Sequence, residues 1–343
     1  FVVFNNELFF SAEFSGIGSE VGKYNPSTNE VTILGDLNST GNSFPNFFTA
    51  VDGMLWFTAS SSDSDSRLWR YDPSTELVEN ILFNSPNGDY PGFGFMHYFD
   101  NKFFFQGFKQ GEGSELWVYD IATNTLLDFP EVYSGAGSSS PSGFTTFDGK
   151  LYFAARTSGF GRELQVYDPS TNEVSLVEDI NPNGNEDSSP GRMIVVNNKL
   201  YFTANASDTD RYLFSFDGQN LEQEAALDYN GFNNGLGIEI LADGIIYLSG
   251  NEISVGRELF KFNPINSTIE LSADINTKTI GSDPYGFTEY NGKLYFGADE
   301  VNSGREVWVY NPGTGNVDIL SDVPGNYSPN GFTVLDGKLY FSG

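Results

Sequence analysis

Eight times along this chain a two-residue turn interrupts an apolar run: Asn5-Asn6, Asp52-Gly53, Asp100-Asn101, Asp148-Gly149, Asn197-Asn198, Asp243-Gly244, Asn291-Gly292 and Asp336-Gly337. The turns recur every 45 to 49 residues. Asn-Gly and Asp-Gly supply the positive φ angles of a type I′ turn, so each marks two tightly joined antiparallel strands. A period of this length, kept along the whole chain, restricts the fold to an array of one β unit.

The unit can be read strand by strand. A first strand precedes each turn, as in Gly143 to Phe147, and a second of the KLYF type follows it, as in Leu151 to Phe153, Leu200 to Phe202, Leu294 to Phe296 and Leu339 to Phe341. A third reads ELWVYD at Glu115 to Asp120, ELQVYD at Glu163 to Asp168 and EVWVYN at Glu306 to Asn311. Segments such as Asp168-Pro169-Ser170-Thr171-Asn172 then turn the chain, because Pro presets φ and Asp, Ser, Thr and Asn bond their own backbone. A fourth strand, such as Glu173 to Val177, completes the unit.

Four short antiparallel strands without helical periodicity form the blade of a β-propeller, and aromatic residues at 16% provide the wedges between blades. The expectation is one all-β propeller domain over residues 1–343, with seven full units and a C-terminal hairpin. Eight blades are favoured, the last incomplete, and seven are the alternative. The strands missing from the eighth would lie beyond this sequence or come from a neighbouring molecule, since a bare strand edge is a template for pairing.

The repeat resembles that of the bacterial ELWxxDGT-repeat proteins, on Asp179-Ile180-Asn181-Pro182, Ser188-Ser189-Pro190, Lys199 to Phe202 and Gly113 to Trp117. Where that family has DGT after ELW, this chain has DPST or NPGT. The resemblance implies a secreted or surface-attached propeller, extracellular in either case.

Seventeen basic residues stand against 46 acidic ones, for a net charge of −29. Such a field repels nucleic acid and anionic membranes and favours cations, divalent metal ions above all, while a solvating surface explains the same charge equally well. No apolar run reaches the roughly 18 residues that a spanning helix needs, so membrane insertion is not expected. The absence of cysteine removes disulfides, thiolate metal sites and cysteine nucleophiles.

Alternating acids in Ser62-Asp63-Ser64-Asp65 and Ser207-Asp208-Thr209-Asp210 look like the start of a calcium loop, which makes Asp63, Asp65, Asp208 and Asp210 the candidate metal ligands. They lack the Gly and terminal Glu of an EF-hand, and a solvated turn explains the same residues more simply. Calcium is the one cofactor anticipated. Sequons at Asn38, Asn205, Asn266 and Asn326 fall in predicted loops or turns and are the candidate glycosylation points.

The glutamate that opens the third strand recurs as Glu20, Glu115, Glu163, Glu258 and Glu306. Catalytic groups are normally unique, so repetition points to a structural carboxylate that ties down loop amides or a neighbouring blade. Acidic interblade loops at Asp36, Asp179, Asp274 and Asp322 give one polar face, for which Asx turns are the simpler account than a ligand. His97 is the only histidine and has no recognisable Ser or Cys partner. The expectation is therefore a secreted, non-catalytic binding or assembly protein, with a protein partner or self-association through a blade edge. The alternative is a lectin or carbohydrate-active enzyme using the central channel or the loop face for a glycan.

Overall fold

A computed structural model of the chain describes all residues except 63–64, 82–89, 128–131, 136, 184, 208–210, 225–236, 253, 278–280, 301–303 and 321–327, and the side chains of 65 and 90–93. Among the described residues there are seven four-stranded antiparallel sheets, spanning 2–33, 46–81, 90–127, 142–178, 193–223, 237–273 and 285–319, each an up-and-down meander. These are the blades of a β-propeller. The preference for eight finds no support: the C-terminal hairpin, Asn330–Leu335 and Lys338–Ser342, remains a sheet of two strands.

The fourth blade shows why these residues form these strands. Its strands are Ser142–Phe147, Lys150–Thr157, Gly161–Asp168 and Glu173–Glu178. The joining pair Asp148 and Gly149 stands at φ of 48° and 71°, as a type I′ turn requires. From Leu151 to Ala155 every residue is buried, because both sheet faces are covered and the strand reads as a continuous apolar run. In the fourth strand burial alternates and is only partial, as suits an outer edge. Between the third and fourth strands Ser170 N donates to Asp168 Oδ1 at 2.9 Å, and Asn172 closes the turn at φ 59°.

The chain groups into two compact units. The first contains Phe1–Phe144, Ala155–Ser158 and Thr333–Lys338; the second contains Thr145–Ala154, Gly159–Phe332 and Leu339–Gly343. In the first, Phe9 and Val21 of one blade pack with Phe57 and Trp69 of the next, and Trp56 packs with Phe103 and Tyr119 of the blade after. In the second, Tyr152 and Leu164 meet Phe202 and Phe216, Tyr201 meets Phe260 and Phe262, and Tyr247 meets Phe296 and Tyr310. Each core is thus shared by consecutive blades. Full burial of such a side chain is worth about 1.5–3 kcal/mol, which a single blade, with both faces open, does not obtain. Among the described residues no helix is long and apolar enough to cross a membrane.

Candidate functional site

The recurrent glutamates are buried, with exposures of 0–2%. Glu163 Oε1 accepts from Ser188 N at 2.9 Å, and its Oε2 accepts from Ile180 N at 3.0 Å and Ser188 Oγ at 2.5 Å. Glu258 repeats this with Ile275 N at 2.9 Å and Ser282 Oγ at 2.7 Å, Glu20 with Leu37 N at 3.0 Å and Ser43 Oγ at 2.7 Å, and Glu115 with Ser139 N and Oγ at 2.8 and 2.7 Å. The same serines turn their carbonyls to the next blade: Ser43, Ser139, Ser188 and Ser282 accept from the backbone N–H of Ser60, Arg156, Asn205 and Asp299 at 2.7–2.8 Å. One serine therefore clasps two consecutive blades. Burial pushes Glu163 and Glu258 up to about 7, against their hydrogen bonds and with the charges of Asp179 and Asp274 adding to the rise. The repeated carboxylate is spoken for structurally.

The C-terminal hairpin is built like the first half of a blade. Thr288 Oγ1 donates to Phe332 O at 2.8 Å, as Thr145 Oγ1 does to Met193 O at 3.5 Å between two complete blades. Ser342 Oγ donates to Asn330 O at 3.2 Å, matching Thr58 Oγ1 to Asn46 O at 3.3 Å. Phe332 and Leu335 are buried. The second strand, however, has no third strand beside it among the described residues. Phe341 is 38% exposed, whereas Phe57, Phe105, Phe153, Phe202 and Phe296 at the same repeat position are fully buried.

Asp63, Asp208 and Asp210 lie outside the described residues, as does the side chain of Asp65, and no group of three metal-ligating side chains occurs among the described ones. Of the sequon asparagines, Asn266 is exposed in a turn and accepts from Thr268 Oγ1 at 2.7 Å. Asn205 ends a strand and accepts from Arg211 Nη1 at 3.3 Å. Asn38 is buried, with its amide donating to Asn42 O at 2.9 Å, so a glycan there requires the loop to open. Asn326 and Asp322 lie outside the described residues. In the first unit a cavity of about 390 Å³ opens between turn 14–18 and loop 36–41, lined by Glu13, Phe14, Asp36 and Thr40 among others. His97 is held below the usual imidazole range by burial, its ring 6.4 Å from that of Phe144.

Sequence reasoning passed over Glu239, in the first strand of the sixth blade, Gly237–Ala242. Its Oε1 accepts from Ser249 Oγ at 2.8 Å, Arg257 Nη2 donates to that hydroxyl at 2.8 Å, and Arg192 Nη1 donates to the Glu239 carbonyl. Aligning the eight first strands by their turns would have singled it out.

No protein-family model matches the chain, and no curated protein does. Solved structures share the fold. The β-propeller domain of the Trilobed protease from Pyrococcus furiosus aligns with a TM-score of 0.52 at 12% identity, over 93% of this chain and 96% of that one. Puromycin hydrolase aligns at 0.59 and 13%, over 99% of this chain but 57% of its own, and oligogalacturonate lyase from Vibrio parahaemolyticus at 0.55 and 13%, over 89% and 87%. The expectation of a non-enzyme is overturned by these neighbours: a protease, a hydrolase and a lyase carry this propeller, so the fold argues nothing against catalysis.

Proposed function

We propose that this propeller is an extracellular binding or assembly module whose C-terminal hairpin takes a further β-strand beside Leu339 to Ser342, supplied by its own polypeptide or by another. The hairpin carries the reading: its inner face is packed as in a complete blade, while Leu339 to Ser342 lack, among the described residues, the third strand that lies beside every other second strand. Unpaired N–H and C=O groups along such an edge are satisfied by strand addition. The extracellular setting rests on the resemblance to ELWxxDGT repeats.

The complete blades define the chemistry of the incoming strand. In the seventh, Leu294 pairs with Tyr310 and Phe296 with Trp308. In the fourth, Lys150 Nζ meets Asp168 Oδ2 at 2.8 Å across the second and third strands. Lys338 is the exposed counterpart of Lys150. The partner is therefore an apolar, aromatic-bearing strand that ends in Asp or Asn, followed by a turn and a short fourth strand, the pattern of residues 304–319.

The test is light scattering of the isolated protein against its 37.8 kDa chain mass, together with titration of a synthetic peptide of residues 304–319. Self-association, or saturable peptide binding that a scrambled peptide does not reproduce, supports the reading. Phe341→Pro should abolish either one, because the two-residue turn directs the backbone of every second residue from Leu339 outward, Phe341 included. A monomer that ignores the peptide overturns it.

A further inference from the structure

Across the second and third strands of three blades, one register position sets an arginine opposite an oxygen-bearing side chain: Asn205 pairs with Arg211, Asn251 with Arg257 and Asp299 with Arg305. In the seventh blade Arg305 Nε donates to Asp299 Oδ1 at 3.0 Å, and its guanidinium lies 5.0 Å from the centroid of the Tyr285 ring. In the fifth, Arg211 Nη1 donates to Asn205 Oδ1 at 3.3 Å. The first blade keeps the acid and lacks the cation. There Glu13 pairs with Ser19, whose hydroxyl is 3.2 Å from Ser11 Oγ.

That unpaired acid lines a cavity. Glu13 and Asp36 stand on its two sides, one at turn 14–18 and the other in loop 36–41, around a space of about 390 Å³. Among the described residues neither carboxylate has an ion pair or a hydrogen bond. Asn38, Ser39 and Thr40 add polar groups, Phe14 adds an aromatic wall, and no basic residue contributes to the lining. Within the same loop Leu37 N donates to Glu20 Oε2 at 3.0 Å, and Glu20 Oε1 is buried without a hydrogen-bond partner. The volume suits a small organic group rather than a bare metal ion. Carboxylates without cations, on a protein of net charge −29, favour a positively charged donor. Beside an aromatic wall a planar, weakly hydrated guanidinium is better accommodated than a compact, strongly hydrated ammonium.

We infer that the cavity of the first blade binds a guanidinium group, held by Glu13 and Asp36 beside Phe14, in the way that Asp299 and Tyr285 hold Arg305 within the seventh. The site is separate from the hairpin edge, and neither reading depends on the other.

The experiment compares n-butylguanidinium with n-butylurea, which keeps the planar head and lacks the charge, by calorimetric titration of the whole chain at low salt. The guanidinium should bind saturably and roughly tenfold or more tightly than the urea, the scale of hydrogen bonds to a charged group. Glu13→Gln and Asp36→Asn should each remove most of that difference. Glu30→Gln, which neutralises an exposed acid on the outer strand of the same blade, should leave it intact. Ser19→Arg installs the arginine of the fifth, sixth and seventh blades and should compete with the ligand for Glu13. N-acetylarginine amide that binds as tightly as n-butylguanidinium assigns the site to an arginine side chain of a polypeptide, and weaker binding assigns it to a free guanidinium compound. Equal affinity for guanidinium and urea, or no binding of either, overturns the site. So does a Glu30→Gln protein that loses as much affinity as Glu13→Gln, since net charge alone then attracts the cation.

Discussion

Glu163 and Ser188 lie 25 residues apart and meet through two hydrogen bonds, from the serine N–H at 2.9 Å and from its hydroxyl at 2.5 Å. Through its carbonyl the same serine holds Asn205 of the following blade at 2.7 Å. Similar pairs join Glu20 to Ser43, Glu115 to Ser139 and Glu258 to Ser282. Blade-to-blade cohesion thus has a polar component beside the aromatic wedges, and it lies at loops that look like ordinary connections.

Removing that hydroxyl leaves a buried carboxylate short of one donor. Ser188→Ala should destabilise the protein by about 1–3 kcal/mol, the cost of an unmet bond to a buried charged group. Ser170→Ala, which loses a 2.6 Å bond in an exposed turn, should stay within about 0.5 kcal/mol. Chemical denaturation midpoints at constant slope check both.

The clasps also set a pH dependence. Glu163 and Glu258 have folded-state values near 7, above the ordinary 4.5, so the native state holds protons that the unfolded chain releases. Their contribution to stability is complete below about pH 4.5 and is lost as pH rises through 7. Exposed Asp217, lowered to about 2 by backbone donors from Asn220 and Gln219, acts oppositely and only in strong acid. Melting temperature should therefore fall between pH 5 and 8, and the double variant Glu163→Gln, Glu258→Gln should show a flatter slope there. An unchanged slope would mean that burial does not protonate these groups.

Gly161 precedes the clasp at φ 74°, with the Glu186 carbonyl where a Cβ would go, whereas Gly159 stands at φ 93° with nothing within 4 Å. Gly161→Ala adds a backbone collision to the strain of a left-handed conformation, and Gly159→Ala meets the strain alone. The first should cost clearly more in thermal stability than the second.

Phe57 and Phe341 occupy one repeat position in different surroundings, fully buried and 38% exposed. Phe57→Ala should cost about 3–5 kcal/mol and Phe341→Ala under about 1 kcal/mol in the isolated protein. If the second cost rises in the presence of the peptide of residues 304–319, the edge is where the peptide docks.

Much of this protein is local, and local features are legible in a sequence. The eight positive-φ turns, the buried second strands and the Asp-Pro-Ser-Thr-Asn corners depend on backbone preferences and neighbours a few residues away. They gave the propeller, the blade boundaries and the hairpin before any coordinate. The structural reading of the recurrent glutamate came from its repetition, although not which serine it holds, because that partner is 23 to 25 residues along the chain and its loop varies in length and composition. Blade number was misjudged since the consensus in Gly331 to Phe341 reads alike whether or not two further strands follow. Glu239, Ser249, Arg257 and Arg192 span 66 residues of sequence, and no spacing rule links them. Only the packing of the fifth blade against the sixth, with a bulge that turns one side chain, brings their charges together, for electrostatic contact depends on distance in space and not along the chain.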